Sequence, residues 1–176
     1  RFVRRAVAAL ELPPFTVLGH SIGGPVAIAV AAAEPARVRG LALLASVGLH
    51  AHRLARRIPR HPDAARVLTL PVLPRLVAPP LRRAFQRVGF PPTIPDAALV
   101  QTARIFSTLR FHEVRRAARA VRAPALVAWA EDDPIVEGTV GRVLARELPA
   151  GPRLPFAEGG HNIQKSRAVE IADALA

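Results

Sequence analysis

The sequence predicts an α/β fold, a parallel sheet of about four strands interrupted by an inserted helical stretch. Three observations carry this. Phe15-Thr16-Val17-Leu18 has strand-forming side chains and runs through a glycine-rich turn into the helix-like Pro25-Val26-Ala27-Ile28-Ala29-Val30-Ala31-Ala32-Ala33. Arg39-Gly40-Leu41-Ala42-Leu43-Leu44-Ala45 follows as a nearly continuous apolar run, as expected of a strand buried on both faces. The same alternation returns after Pro124. Strand–helix–strand order joins parallel neighbours by right-handed crossovers. The core is therefore read as 1–46 and 123–176, and the insert as 47–122.

Taken in order, residues 1–12 read as a helix, with Phe2, Ala6, Val7, Ala9 and Leu10 able to share a face and Pro13-Pro14 ending it. Residues 15–19 form the first strand and 22–33 the helix after it, which Glu34-Pro35 ends. No strand is convincing within 47–122. Short helical patches there are separated by Pro59, Pro62, Pro71, Pro79-Pro80 and Pro91-Pro92. Leu99, Ala103, Phe106 and Leu109/Arg110 make one apolar stripe. Val114, Ala117/Ala118 and Val121 make another, backed by Arg115, Arg116, Arg119 and Arg122. Ala125–Ala130 is a strand and Gly138–Leu148 a helix. Arg153–Ala157 is a short strand whose Pro155 suits an edge, and Ile163–Leu175 is a closing helix.

The turn between the first strand and its helix carries the chemistry. Gly19-His20-Ser21-Ile22-Gly23 fits G-x-S-x-G. A serine on a strained strand-to-helix turn projects its hydroxyl from the fold. Side chains two positions either side would collide, so glycine is expected at both Gly19 and Gly23. The helix behind the turn directs N–H groups and the positive end of its dipole toward the hydroxyl, which favours a developing oxyanion. A serine hydroxyl needs an adjacent base. His161, on the Gly159-Gly160 loop after the last strand, is the candidate. His20 adjoins the serine, and its side chain is expected to point away from the hydroxyl. The base needs an orienting carboxylate, and Glu131, Asp132 and Asp133 all follow the 125–130 strand. His50, His52 and His61 lie near one another in sequence, but no carboxylate cluster joins them, so no metal site is read there.

Gly19-His20-Ser21-Ile22-Gly23-Gly24, Trp129-Ala130-Glu131-Asp132-Asp133-Pro134-Ile135-Val136 and Gly159-Gly160-His161-Asn162 together resemble the α/β-hydrolase fold superfamily. The chain order Ser…Asp…His is the order that superfamily uses. The resemblance covers nearly the whole chain, the 47–122 insert matching in position only, as a helical cap. It implies a serine esterase or lipase-like enzyme, with Ser21 as nucleophile, His161 as base and Asp133 as orienting acid. Asp133 is selected because the family's acid commonly precedes a Pro-Ile-Val-like stretch. The family usually has glycine where this chain has Ala130. The N–H of Ile22 would bind the oxyanion. A second donor normally comes from a loop after an earlier strand, and nothing before residue 15 supplies it. By the same resemblance about four N-terminal strands are missing. Residues 15–19 are then expected to present an unpaired edge. The resemblance implies no metal or organic cofactor.

Composition narrows the classes. With 51% hydrophobic residues in 176, the chain can bury one sizeable core, and no uninterrupted apolar run approaches a membrane span. With Cys 0, disulfides and thiolate metal sites are excluded. Met is also 0, and a chain opening Arg1-Phe2-Val3-Arg4-Arg5 reads as a fragment or a processed product. Net charge is +12, all of it within 51–122, where fifteen arginines face Asp63, Asp96 and Glu113. Such a patch points to an anionic ester substrate or to an anionic membrane surface. Only 5% aromatic residues and no recognised motif argue against nucleic acid. Three further readings stay open: a non-catalytic fragment or binding module on a hydrolase scaffold, carbon–carbon or thioester hydrolysis, and cofactor-free haloperoxidase-like chemistry.

Overall fold

The computed structural model describes residues 2–53, 55–57, 63, 73–87 and 90–176. In chain order its helices are α1 (Phe2–Ala9), α2 (Gly23–Ala33), α3 (Leu73–Arg87), α4 (Asp96–Thr108), α5 (Phe111–Ala120), α6 (Gly138–Glu147), α7 (Ile163–Ser166) and α8 (Ala168–Asp173). The strands are β1 (Phe15–His20), β2 (Val38–Leu44), β3 (Ala125–Ala130) and β4 (Arg153–Phe156). They form one all-parallel sheet in the order β1-β2-β3-β4. The fold is the α/β class read from the sequence.

Register explains how the sheet is covered. Gly19 pairs with Leu43, and Leu43 with Val127, so these three share a face. α2 lies on that face, because a Cβ on Gly19 would stand 2.9 Å from Ala27. α6 lies there too, because a Cβ on Gly141 would stand 2.5 Å from the Trp129 ring. On the other face Ala42, Leu44, Leu126, Ala128 and Ala130 pack against Ile163 and Ile171 of α7 and α8. β3 is thus buried along its whole length, as its unbroken apolar run requires. Among the described residues β1 pairs only with β2, and its Leu18 is 50% exposed.

The fold divides into two compact units, Arg1–His52 with Phe111–Ala176, and Arg53–Arg110. The insert read as 47–122 overlaps the second unit but begins earlier and ends later. Val47 and Leu49 are buried in the first unit, and α5 packs against α2 with Val114 and Ala118 buried. In the second unit α4 buries Leu99, Ala103 and Phe106. Arg82 of α3 donates to the carbonyls of Pro92 (2.6 Å) and Ile94 (2.8 Å) and pairs with Asp96.

Three local expectations change. α3 runs through Pro79 and Pro80 instead of breaking there; both are exposed, and the N–H groups they lack leave two carbonyls one turn earlier without helical donors. Pro59, Pro62 and Pro71 lie outside the described residues. The closing helix is two short ones, because Arg167 leaves helical geometry at φ −130 and ψ 34. Its guanidinium instead bonds the Glu158 carbonyl at 2.9 Å and lies 5.5 Å from the Phe156 ring centroid. In α1 Val7 is buried, but Leu10, just past its end, is 67% exposed, so the apolar face read over 1–12 is only partly used. Among the described residues no helix is long and apolar enough to cross a membrane.

Candidate active site

β1 ends at His20 and the chain turns at Ser21, whose φ of +51 is left-handed, an uncommon conformation for a residue with a side chain. The surroundings hold it there. The Ser21 N–H donates to the Leu44 carbonyl at 3.1 Å, and its own carbonyl accepts from Val47 at 2.9 Å and Gly24 at 3.1 Å. Ile22, the residue assigned to oxyanion binding, stands at the N-cap of α2, where N–H groups have no helical acceptor.

The glycine requirement is real but shifted by one position. A Cβ on Gly19 would stand 2.8 Å from the Gly23 carbonyl oxygen, and one on Gly24 would stand 1.7 Å from Ser46 Oγ. A Cβ on Gly23 would meet nothing within 4 Å. Gly23, expected to be glycine for lack of room, thus has room for a side chain, and the close approach falls on Gly24 instead. α2 turns Gly24 inward against the end of β2, while the Gly23 Cα faces open space.

His161 Nε2 lies 2.8 Å from Ser21 Oγ, and its Nδ1 lies 2.8 Å from Asp133 Oδ2. The side chains of His161 and Asp133 are 11% and 1% exposed. A carboxylate only accepts, so Nδ1 carries the proton, and neutral imidazole then leaves Nε2 to accept from the serine hydroxyl. The other Asp133 oxygen accepts from the N–H groups of Ile135 (2.8 Å) and Val136 (3.0 Å). This buried carboxylate is thus compensated on both sides.

The three consecutive acids have three different partners. Glu131 accepts from Trp129 Nε1 at 2.9 Å and pairs with Arg142 of α6. Arg142, then Trp129, hold its carboxyl below the usual range. Asp132 Oδ1 accepts from the N–H groups of Gly159 (2.9 Å) and Gly160 (2.8 Å), and the Gly160 bond leads in lowering its pKa. Of the three, Asp133 faces His161.

Sequence reasoning did not find two histidine contacts. The His20 ring lies tilted at 50° against the His161 ring, centroids 5.0 Å apart, and its Nε2–H donates to the His161 carbonyl at 2.9 Å. His52 is fully buried and its Nδ1–H donates to the Ile135 carbonyl at 3.0 Å. Burial lowers the pKa of both rings. Nothing in the local sequence signals either contact, since one partner lies 141 residues away and the other 83. Among the described residues no group of three metal-ligating side chains occurs, and His61 lies outside them.

Chemically, the arrangement couples a hydroxyl, an imidazole and a buried carboxylate in one line of hydrogen bonds. Comparison with known proteins agrees on the scaffold. The chain aligns over 98% of its length with an esterase from Exiguobacterium antarcticum, at 14% identity and a TM-score of 0.60, covering 69% of that chain. It aligns over 96% with 2-hydroxy-6-oxo-6-phenylhexa-2,4-dienoate hydrolase from Rhodococcus sp. strain RHA1, at 20% identity and a TM-score of 0.63, covering 65% of that chain. An alpha/beta hydrolase fold protein from Burkholderia ambifaria aligns over 99%, at 18% identity and a TM-score of 0.64, with 69% of it covered. The chain thus spans about two thirds of these structures' length. At such identities the likeness shows the fold alone. No curated protein sequence matches significantly. The family model of the alpha/beta hydrolases matches residues 1–174, and the chain belongs to that family.

Proposed function

We propose that this hydrolase is serine-dependent and cleaves a carboxylic ester or related acyl bond. The observation that carries the reading is the pair of 2.8 Å hydrogen bonds joining Ser21 Oγ, His161 and Asp133. In this reading Ser21 Oγ attacks the carbonyl carbon while its proton passes to His161 Nε2. Asp133 orients the ring and stabilises the imidazolium. The Ile22 N–H, at the start of α2, donates to the oxyanion. Collapse expels the alkoxide, which takes the proton from His161 and leaves an acyl-serine. Water, deprotonated by the same imidazole, then releases the acid and restores the serine. No cofactor enters any step.

The names of two neighbours, an esterase and a dienoate hydrolase, support hydrolysis of a small acyl or keto substrate. An anionic substrate, or an anionic membrane surface, is the finer version. It rests on Arg115, Arg116, Arg119 and Arg122, exposed on and just after α5.

A fluorophosphonate probe tests the reading. It should label Ser21, and Ser21→Ala should abolish labelling. His161→Ala should slow labelling by about 10³-fold or more, since it removes the base. Equal labelling of wild type and Ser21→Ala would sink the proposal, and an unlabelled wild type would favour a binding module on this scaffold.

A further inference from the structure

His161 sits in a loop that has little of its own to hold it. The segment between β4 and α7 contains Gly159 and Gly160, and Gly160 has a left-handed φ of +64. Two adjacent glycines raise the entropy lost when the loop is ordered. The serine–imidazole bond nevertheless requires the ring to be placed to within a fraction of an ångström. Something other than local stiffness must place it.

Asp132 supplies that constraint. One carboxylate oxygen accepts both N–H groups that immediately precede His161, from Gly159 at 2.9 Å and Gly160 at 2.8 Å. Hydrogen bonds to an ionised acceptor are roughly twice as strong as neutral ones. The neighbouring Asp133 accepts from the imidazole itself. Two consecutive residues after β3 thus hold His161 by its preceding backbone and by its ring. On the far side the His161 carbonyl accepts from His20. Further out, Ser166 Oγ donates to the Gly159 carbonyl at 2.7 Å, which ties the loop to α7 without reaching the two amides. The lowered pKa of Asp132, led by the Gly160 bond, agrees with a carboxylate that stays charged in this role.

We propose that Asp132 is a positioning residue for the Ser21–His161 reaction, acting through the peptide N–H groups of Gly159 and Gly160. It touches no reacting atom. The inference rests on the serine-hydrolase reading above and deepens it.

The test compares Asp132→Ala and Asp132→Asn with wild type in the full chain. Fluorophosphonate labelling is resolved into its maximal rate and its half-saturating probe concentration, and amide hydrogen exchange is followed in parallel. Asp132→Ala should lower the maximal labelling rate about ten- to thirty-fold, with half-saturation within about two-fold, because binding is spared and alignment is lost. Asp132→Asn keeps a carbonyl oxygen for the same two donors and should recover to within about three-fold. Exchange at Gly159 and Gly160 should rise about ten-fold in Asp132→Ala, while β3 amides stay protected. Labelling of Asp132→Ala at the wild-type rate would overturn the inference and leave the serine reading standing. So would a rate loss accompanied by equally faster exchange throughout β3, which would mark general destabilisation. An unlabelled wild type would overturn both.

Discussion

Gly24 shows how closely the turn at Ser21 is built against the end of β2. Ser46 Oγ donates to the Val47 carbonyl at 2.8 Å and occupies the space that a Gly24 side chain would need. Ala45, just before it, is itself left-handed at φ +43. Gly24→Ala should therefore cost about 1–3 kcal/mol, as overpacking does. Gly23→Ala, with open space at its Cβ, should stay within about 0.5 kcal/mol of wild type. Adding Ser46→Gly to Gly24→Ala should recover part of the loss. Urea melts of the four proteins check this, and equal costs at the two glycines would contradict it. The motif made Ser21 legible as a candidate nucleophile, because few other patterns put serine between strand and helix. It did not distinguish Gly23 from Gly24, since that depends on how closely the end of β2 approaches.

At the scale of elements, the α6–β4 connection depends on one side chain. Arg153, first residue of β4, donates to the carbonyls of Ala145 (3.0 Å), Leu148 (3.2 Å), Pro149 (2.8 Å), Gly151 (3.2 Å) and Pro152 (3.3 Å). It also bonds the Ala125 carbonyl at the start of β3. The guanidinium therefore satisfies the carbonyl end of α6 and ties the loop to the sheet. Arg153→Leu should destabilise by about 2–4 kcal/mol, because several carbonyls lose their donor together. Arg153→Lys should recover little of it, since an ammonium cannot reproduce a planar five-donor fork. A lysine variant melting with wild type would show that water serves those carbonyls as well. β4 was the weakest strand to read, being four residues long with Pro155 inside it. The arginine that anchors it carries no recognisable sequence pattern.

For the whole molecule the uneven charge matters most. The net +12 arises within 51–122, and the part of it on and after α5 is exposed. If these arginines attract an anionic substrate, turnover of an anionic ester should fall steeply with salt. Screening shortens from about 10 Å at 0.1 M to about 3 Å at 1 M. Replacing Arg115, Arg116 and Arg119 by Glu should flatten that dependence while leaving a small neutral ester nearly unaffected. Identical salt profiles for the two proteins would leave these arginines as solvated surface. The same assay with anionic vesicles in place of the ester tests the membrane version.

What the sequence determined by itself follows from local and periodic causes. The apolar runs at 39–45 and 125–130 demanded strands covered on both faces; the second is so covered throughout and the first from Leu41 onward, Arg39 being exposed. The alternation of strands and helices dictated a parallel sheet. The turn around Ser21 announced itself because Gly19-His20-Ser21-Ile22-Gly23 lies between an apolar strand and an alanine-rich helix. The residue types alone left three acids open after β3, the family resemblance pointed to Asp133, and the tertiary structure puts Asp133 against His161. Glu131, Asp132 and Asp133 are chemically similar neighbours, and the twist of the chain after β3 sends them to Arg142, to the Gly159–Gly160 amides and to the imidazole. Only the tertiary structure decided that His20 and His52 would serve backbone carbonyls distant in sequence. A hydrogen bond spanning more than eighty residues leaves no periodicity in the chain, because its geometry exists only once the sheet has brought its ends together.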